Sequence, residues 1–385
     1  MATIRDVANY CGVSTATVSH VLNGRHNRVS SDTRTRVFAA VRELRYRPPA
    51  LESNQKAILT RNIGLICPDL SEGAIFNNLY FARNLEGVLD ACAKRGFSVT
   101  IFNERLWGDS GLSIRRSYDG RCDGVILLAP TADSPLPGSL NERGVNTVCI
   151  GSSLPGSGFP TVDVDNVGAA TLVTEHLLSL GHGRLAYFGA SFRTVSSMQR
   201  ADGFFRACER SKSVESAHSY LATGFSAAER LFESSEFERN GETTLVPGYV
   251  PDLVRVAYSD LGNAPTAIVC WNDDFAESTI EALRDVGLRV PEDVSVAGFD
   301  DNSPQVGDLG LTTVRQDFGR IGRTAADILM DNIESGSLHG GETFIPVEFV
   351  PRESTAPVNK NVTAPQFTSA TSGSVARKIS NGGSH

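Results

Sequence analysis

The sequence predicts an α/β body built on parallel sheets, preceded by a small helix-turn-helix unit. From Ile63 onward, short β-rich runs alternate with amphipathic segments of helical length, the pattern of parallel strands covered by helices on both faces. Residues 1–62 contain only short helical segments. The length of 385 residues allows two to three domains at roughly 150 residues each.

Charge is divided unevenly along the chain. Residues 1–61 carry ten basic and four acidic side chains, a net charge of +6, whereas the whole chain carries −8 and the remainder therefore −14. A cationic head can attract a polyanion such as nucleic acid, although a solvated charged face is the alternative that charge alone leaves open. Because the chain has neither a long apolar run nor a signal-like N-terminus, we expect a cytoplasmic protein with no membrane partner.

The common catalytic and metal-binding patterns are missing from the sequence. The seven cysteines are odd in number, scattered and never spaced C-x-x-C, and the seven histidines are too far apart to form a recognisable metal cluster. The sequence contains no G-x-S-x-G, Walker-type loop, H-E-x-x-H or G-x-G-x-x-G. We therefore expect no enzyme activity, no cofactor, no metal site and no disulfide framework.

The N-terminal segment predicts three short helices. Thr3 and Asp6 form a capping-box variant that opens the first helix, and Gly12 is placed to end it. Ser14 can cap a second helix directly afterwards, so only a short glycine-containing turn joins the two. A third segment, at about 30–46, has one apolar stripe. Two short helices across such a turn indicate a helix-turn-helix.

The predicted elements of the body follow one repeating plan. Strands are expected at 63–67, 98–102, 124–128, 147–150, 184–188, 267–270 and 294–299. Helices are expected at about 81–95, 167–180, 198–210, 274–286 and 318–335. This many units exceed one ordinary doubly wound sheet, so two lobes are the natural packing.

Ordered motifs run along nearly the whole chain. They are Asp6-Val7-Ala8, GVSTATVSHVLNG at 12–24, Tyr46-Arg47-Pro48, Val164-Asp165-Asn166, Asn272-Asp273, PEDVSVAGFDD at 291–301, Leu311-Thr312-Thr313-Val314 and Pro351-Arg352-Glu353-Ser354-Thr355. With these motifs the chain resembles the lactose repressor (LacI/GalR-type) family of bacterial transcription regulators. The resemblance implies an N-terminal three-helix helix-turn-helix head with a hinge, followed by a two-lobed periplasmic-binding-protein-like (type I) body around a ligand cleft.

The resemblance also implies domain boundaries, with crossings between the lobes near 163, 295 and 322. The expected segments are a head at 1–47, a hinge at 48–62, a first lobe at 63–162 and 296–322, a second lobe at 163–295 and 323–352, and a tail at 353–385. The tail is rich in Ser, Gly and Thr and has no apolar heptads, so we expect it to be disordered.

In heads of this family the second helix lies in the major groove, and the resemblance places Thr15, Ala16 and His20 at base-reading positions. None of these is an Arg, Lys, Asn or Gln, so direct base readout is expected to be limited. The other expected DNA-binding residues are Ser14, Thr17, Ser19, Asn23, Arg25, Arg28 and Gln55. Gln55 stands where the family's hinge usually places a leucine that wedges into the minor groove, so the usual wedge is not expected here.

By the family's pattern, Arg200, Asn272 and Asp300 should contact a small-molecule effector as fork donor, amide and carboxylate. The arginine and the carboxylate together suit neighbouring sugar hydroxyls, and the arginine fork also suits an acid group. Singly, each also has an ordinary explanation, such as a surface ion pair for Arg200 or a turn former for Asp300. Further expected lining residues are Phe225, Gln316, Phe318, Tyr80, Phe81 and Asp163. Trp271 stands where the family tends to have a small residue, so it can shrink the pocket or stack on a ring.

The resemblance therefore implies a ligand-responsive repressor that binds a pseudo-palindromic operator as a homodimer, with a small molecule, favoured to be a sugar, as effector. Two alternatives stay open. One is a DNA-binding regulator that is controlled by a protein partner, because Trp271 and loop insertions can close the pocket. The other is a sugar-binding protein without DNA function, which the cationic head opposes.

Overall fold

The computed structural model divides the chain into two compact units. Unit 1 comprises Met1–Val162 and Phe318–Thr343, and unit 2 comprises Asp163–Asp317 and Phe344–His385. The structure describes residues 3–22, 29–44, 59–67, 79–103, 121–152, 158–190, 194–223, 242–260, 262–336, 341–359 and 377–379.

The head forms three helices, which are α1 (Ile4–Cys11), α2 (Thr15–Leu22) and α3 (Ser31–Glu43). The predicted capping box is confirmed, because the Thr3 hydroxyl accepts a hydrogen bond from the Asp6 amide at 3.3 Å while the Thr3 amide donates to the Asp6 carboxylate at 2.6 Å. Gly12 ends α1 in the left-handed conformation. The core of the head is small and includes Val7, Ala8, Cys11, Val18, Val21, Val37, Ala40 and Val41.

The body's elements alternate as predicted. In chain order they are β1 (Asn62–Cys67), α4 (Leu79–Arg95), β2 (Ser98–Asn103), β3 (Gly124–Leu128), α5 (Leu136–Glu142), β4 (Thr147–Ile150), β5 (Thr161–Asp163), α6 (Asn166–Ser179), β6 (Arg184–Gly189), α7 (Val195–Arg210), β7 (Ser216–Thr223), β8 (Glu242–Pro247), α8 (Val250–Ala257), β9 (Ala267–Cys270), α9 (Asp273–Asp285), β10 (Ser295–Ala297), α10 (Pro304–Asp308), β11 (Thr313–Arg315), α11 (Phe318–Ser335), β12 (Glu342–Phe344), β13 (Glu348–Val350) and β14 (Arg377–Ile379). None of these helices is long and apolar enough to cross a membrane.

Unit 1 is organised around a sheet with the order β12-β5-β4-β3-β1-β2. Strands β1 to β5 pair in parallel. Strands β3 and β4 are buried along their whole length, as their uninterrupted apolar sequences require in a sheet covered on both faces. The strand order reverses between β1 and β3, which marks the carboxyl ends of these strands as a place for ligands in folds of this kind.

Unit 2 repeats the plan with the order β10-β9-β6-β7-β8-β14. The pairs among β6 to β10 are parallel, and β14 adds antiparallel to β8. The order reverses between β6 and β9. Strands β11 and β13 form a separate antiparallel pair. The prediction that 353–385 is wholly disordered is wrong for the segments that the structure describes, because the Ser354 amide bonds to Gly310 and 377–379 forms a strand.

The expected crossings near 295 and 322 differ from the structure. Strand β10 pairs with β9 in the register Ser295↔Ala267, which keeps the chain in unit 2 until Asp317. Helix α11 packs on α4, β3 and β4, so 323–343 belongs to unit 1 instead of the second lobe. The helix buries Ala325, Ala326 and Leu329 completely, and this apolar stripe needs the covered sheet of unit 1.

Glycines allow the covering helices to approach closely. A Cβ at Gly87 of α4 would overlap the carbonyl oxygen of Gly319 of α11, and one at Gly322 would overlap the carbonyl oxygen of Asn84. In unit 2, a Cβ at Gly203 of α7 would likewise overlap the backbone of α6. Because only glycine fits at these contacts, the two helices of each pair pack at one closely spaced position along each other.

We expect Gly87→Ala to lower the free energy of unfolding by about 1 to 3 kcal/mol, because the added methyl group overpacks a backbone contact. Gly138→Ala in α5 is the matched control, since nothing lies within 4 Å of its Cβ position. There the substitution should stabilise by up to about 1 kcal/mol. Urea unfolding of both variants measures the difference, and equal stabilities would contradict the close-packing account.

Candidate ligand site and nucleic-acid interface

The candidate ligand residues of unit 2 gather where its strand order reverses. Strand β6 ends at Gly189 and β9 ends at Cys270, side by side. Trp271 and Asn272 follow β9 directly, and the Trp271 amide bonds to the carbonyl oxygen of Phe188 at 2.9 Å. The carboxyl ends of parallel strands are the usual ligand-binding edge of such sheets, so these positions are well placed for recognition.

Arg200 of α7 lies at the centre of this group and is only 5% exposed. Its Nε donates to the Asn166 side-chain oxygen at 2.9 Å, and its Nη1 donates to the backbone oxygen of Trp271. The guanidinium carbon lies 3.7 Å from the centroid of the Phe299 ring. Nη1 is also 3.7 Å from Oδ1 of Asp300. The guanidinium is thus hydrogen-bonded, stacked on an aromatic ring and close to a carboxylate.

Asp300 is buried in a backbone conformation that residues other than glycine rarely adopt, with φ at 128°. Its amide donates to Val314 at 2.8 Å, and its carbonyl accepts from the Gln316 amide at 3.1 Å. The Gln316 side-chain amide donates to Oδ1 at 2.7 Å. Burial raises the pKa of Asp300 well above its usual range, and the charge of Arg200 and the bond from Gln316 oppose that rise.

Asp273 stands behind Asp300 as a second buried carboxyl group. It accepts hydrogen bonds from the Thr313 hydroxyl and the Asp301 amide, both at 2.6 Å. Burial raises the pKa of Asp273 to about 6, although these two bonds oppose the rise. Asp273 therefore holds the strained turn after β10, because its carboxylate accepts from the backbone amide of Asp301.

Asn272 and Trp271 differ in what they offer a ligand. The Asn272 side-chain oxygen accepts from the Phe275 amide at 2.9 Å and so caps α9, a local role that the sequence reading did not include. The Trp271 ring meets Phe275 edge-on with 5.7 Å between centroids. The indole N–H of Trp271 is buried and has no hydrogen-bond partner among the described residues. A buried donor without a partner is unfavourable, and a ligand acceptor would relieve it.

Asn166 is a functional candidate that the sequence reading missed. It is 2% exposed, and its amide nitrogen donates to Asp163 at 3.2 Å and to Gln199 at 3.0 Å, while its oxygen accepts from Arg200. Asp163 therefore helps to orient the Asn166 side chain, which in turn accepts from Arg200. The Val164-Asp165-Asn166 motif points to this residue, but the motif alone indicates the family and gives Asn166 no particular role.

The candidates in unit 1 form a separate aromatic group. Tyr80 and Phe318 meet edge-on with 5.1 Å between centroids, and the Tyr80 hydroxyl fills the space that a Cβ at Gly151 would need. Phe318 is 2% exposed and Phe81 is 1% exposed, so Phe81 packs in the core of the unit. Phe225 lies outside the described residues.

In the head, α2 presents its polar face to solvent. Thr15 and Ala16 are exposed and His20 is half-buried, whereas Val18 and Val21 pack in the core. The hydroxyl of Ser14 accepts from the Thr17 amide at 3.0 Å and therefore caps α2, as predicted. Ser19 is half-buried on the same face. The expected DNA-binding residues outside the described part of the chain are Asn23, Arg25, Arg28 and Gln55.

No group of side chains in the described part is arranged to hold a metal ion.

Arg200→Ala should lower the free energy of unfolding by about 3 to 5 kcal/mol, because it leaves a buried carboxyl group and a buried amide without their partner. Arg206→Ala on the same helix is the control. Its side chain is 46% exposed and forms an ion pair with Asp202, so its removal should cost less than about 1 kcal/mol. Chemical unfolding followed by circular dichroism tests both. If Arg200→Ala is as mild as the control, the guanidinium does not organise unit 2.

Two family models match the chain. Residues 3–49 match the bacterial regulatory proteins of the lacI family, and residues 174–355 match a periplasmic binding protein-like domain. The first match covers the three helices of the head, and the second covers most of unit 2.

Whole-chain relatives agree with these matches. The chain is 30% identical over 344 residues to the HTH-type transcriptional repressor PurR of Aliivibrio salmonicida, covering 87% of this chain and 93% of the relative. It is 31% identical over 352 residues to PurR of Aliivibrio fischeri, covering 87% and 92%.

Solved structures extend the likeness to the fold. A complex of the transcriptional regulator CelR with cellobiose has a TM-score of 0.61 at 27% identity and covers 92% of this chain and 100% of its own. The lac repressor dimer bound to operator and the anti-inducer ONPF has a TM-score of 0.61 at 25% identity and covers 92% and 99%. The chain therefore belongs to the lacI family of bacterial regulatory proteins, and it is a transcription regulator rather than an enzyme.

Proposed function

We propose that the protein is a sequence-specific repressor that binds a pseudo-palindromic operator as a homodimer and responds to a small sugar or sugar derivative. The observation that carries the proposal is the buried group of Arg200, Asp300 and Gln316 at the strand reversal of unit 2. In the head, α2 exposes Thr15 and Ala16 next to the half-buried His20, the three residues expected to read bases.

The head supports operator binding through shape and charge more than through base contacts. Thr15 and Ala16 can touch thymine methyl groups, and His20 can form one hydrogen bond to a base edge. Residues 1–61 supply the net charge of +6 that attracts phosphates. One head of three helices covers only a half-site, so a second copy is needed for a palindrome. Leu89 and Ile101 of unit 1, which are 47% and 46% exposed, are candidates for that contact.

The effector chemistry follows from the atoms that remain available in unit 2. Nη2 of Arg200 and Oδ2 of Asp300 form no hydrogen bond with another described residue. A hydroxyl group can accept from the first and donate to the second, so neighbouring hydroxyls of a sugar suit this pair. The indole N–H of Trp271 is a third donor. The cellobiose in the related CelR complex supports this class of effector.

A regulator controlled by a protein partner is the second candidate. The observation that favours it is the degree to which the polar groups of unit 2 already satisfy one another. Arg200 bonds to Asn166 and Trp271, and Gln316 bonds to Asp300. A group that is complete without a ligand can be purely structural, and the experiments below separate the two candidates.

Selection of random duplex DNA by the full-length protein at about 100 mM salt should enrich a palindrome. With about 6 to 10 phosphate contacts per dimer, affinity for it should fall about 10³- to 10⁵-fold between 50 and 200 mM salt. His20→Ala should weaken binding to the selected duplex about fivefold, the loss of one hydrogen bond, and leave a scrambled duplex unaffected. Failure of the wild-type protein to enrich any sequence would contradict sequence-specific binding.

An effector should raise the melting temperature of the wild-type protein in a panel of cellobiose, other mono- and disaccharides, nucleosides and organic acids. At about 100 times Kd the gain is about 2.7 kcal/mol. Asp300→Asn should lose this shift because its side chain no longer accepts through both oxygens. Asp202→Asn, which changes an ion pair on α7, should keep the shift. If no compound shifts the wild-type protein, control by a partner replaces the effector proposal.

A further inference from the structure

One carboxylate holds Thr60 and Arg61, the two residues that directly precede β1. Oδ1 of Asp123 accepts hydrogen bonds from the Thr60 amide at 2.9 Å and the Thr60 hydroxyl at 3.0 Å. Oδ2 accepts from the Arg61 amide at 2.7 Å. The Asp123 amide in turn donates to the carbonyl of Asn62 at 2.8 Å. We name Thr60, Arg61 and Asp123 the linker clamp.

The backbone at Arg61 bends sharply within the clamp. Its φ is 50°, in the left-handed region that favours glycine, so the surrounding contacts must impose the conformation. The Arg61 amide is bound by Asp123, and its carbonyl oxygen accepts from the Ser98 amide at 2.7 Å. This bend sets the backbone direction of Thr60 and Arg61 relative to β1.

The Arg61 side chain extends the clamp to two helices of unit 1. Nη1 donates to the carbonyl of Arg95 at 2.9 Å where α4 ends, and the guanidinium lies 5.3 Å from the centroid of the Phe97 ring. Nη2 is 4.0 Å from Glu334 in the last turn of α11. That exposed pair is weak on its own, but Glu334 is also held by Arg95 at 2.5 Å.

Helix α11 runs from this attachment to the aromatic contact between Phe318 and Tyr80. It begins at Phe318, directly after the chain passes from unit 2 into unit 1, and ends at Ser335. A helix of this length is a rigid rod of about 27 Å. Its first residue packs against Tyr80, and its last turn lies beside Arg61.

The ordinary explanation is that Asp123 only caps the start of β1. The strand itself does not need this cap, because Asn62 and Ile63 are already fixed by pairing with β2 and β3. The clamp instead acts on Thr60 and Arg61, which are exposed and precede the paired residues of β1. Of these two residues, Arg61 also contacts β2 through its carbonyl oxygen, which accepts from the Ser98 amide. Its hydrogen bonds therefore constrain the linker more than the sheet.

We propose that Arg61 and Asp123 are positioning residues for operator binding. They fix the backbone direction of Thr60 and Arg61 at the start of β1 and tie these residues to the end of α11. The inference rests on the proposed function, because in a dimer the separation of two heads must match the separation of two half-sites. A loosened clamp would let the heads sample other separations, which lowers affinity for the operator without changing the heads.

Two variants loosen the clamp in different ways. Arg61→Gly removes the side-chain contacts while glycine accepts the left-handed backbone without strain, so the fold should be retained. Asp123→Asn replaces one of the two acceptor oxygens by a donor. Asp90→Asn is the matched control, because it breaks an exposed pair with Lys94 on α4 that does not touch the clamp. Full-length proteins are titrated onto the duplex that the wild type selects and onto a scrambled duplex of equal length, and their melting temperatures are compared.

Both clamp variants should bind the selected duplex about tenfold more weakly than the wild type. Binding of Asp123→Asn to the scrambled duplex should stay unchanged, because all ten basic side chains of residues 1–61 remain. Arg61→Gly removes one of them and should lose much less affinity on the scrambled duplex than on the selected one. The control should behave like the wild type on both. Unchanged affinity of both clamp variants for the selected duplex would overturn the inference. Equal losses on the two duplexes would also overturn it, since that result indicates general damage. A wild-type protein that selects no duplex would refute the proposed function, and the inference with it.

Discussion

A buried ion pair between Arg200 and Asp300 is the interaction on which unit 2 depends most. Removing two charges from water is unfavourable unless they are paired and their remaining polar atoms are hydrogen-bonded. The structure meets this demand by bringing Asn166, the backbone of Trp271 and Gln316 to the same place. Elements that are distant in sequence are therefore held at one point, where the strand order of the sheet reverses.

Hydrogen bonds of Asp300, together with the bond from the Asp301 amide to Asp273, hold the strained turn after β10. Asp300 keeps an unfavourable backbone angle because its amide, its carbonyl and its side chain are all bound. In each unit the covering helices pack too closely to slide, since Gly87 in unit 1 and Gly203 in unit 2 place backbone against backbone. Tightly packed units respond to ligands by changing between discrete arrangements, which is the property a ligand-responsive regulator needs.

The sequence predicted most of the strands and helices of the body but not the unit to which each belongs. Strands such as β3 and β4 were predicted to the residue because they are uninterrupted apolar runs, whereas β7 alternates small and polar residues and was missed. The two later crossings were misplaced because periodicity identifies a helix such as α11 without saying which sheet it covers. For the site, motif positions indicated Arg200 and Asp300, but the role of Asn166 depends on contacts across the fold that spacing cannot reveal.

The most direct test of the central role of Arg200 and Asp300 is a double-mutant cycle on the free energy of unfolding, with Arg200→Met, Asp300→Asn and the double variant. Each single change leaves one buried partner unsatisfied, whereas the double change removes both charges together. We therefore predict that the double variant is more stable than the sum of the single effects implies, by about 1 to 3 kcal/mol. Effects that add to within about 0.5 kcal/mol would contradict the account, because the two side chains would then act independently.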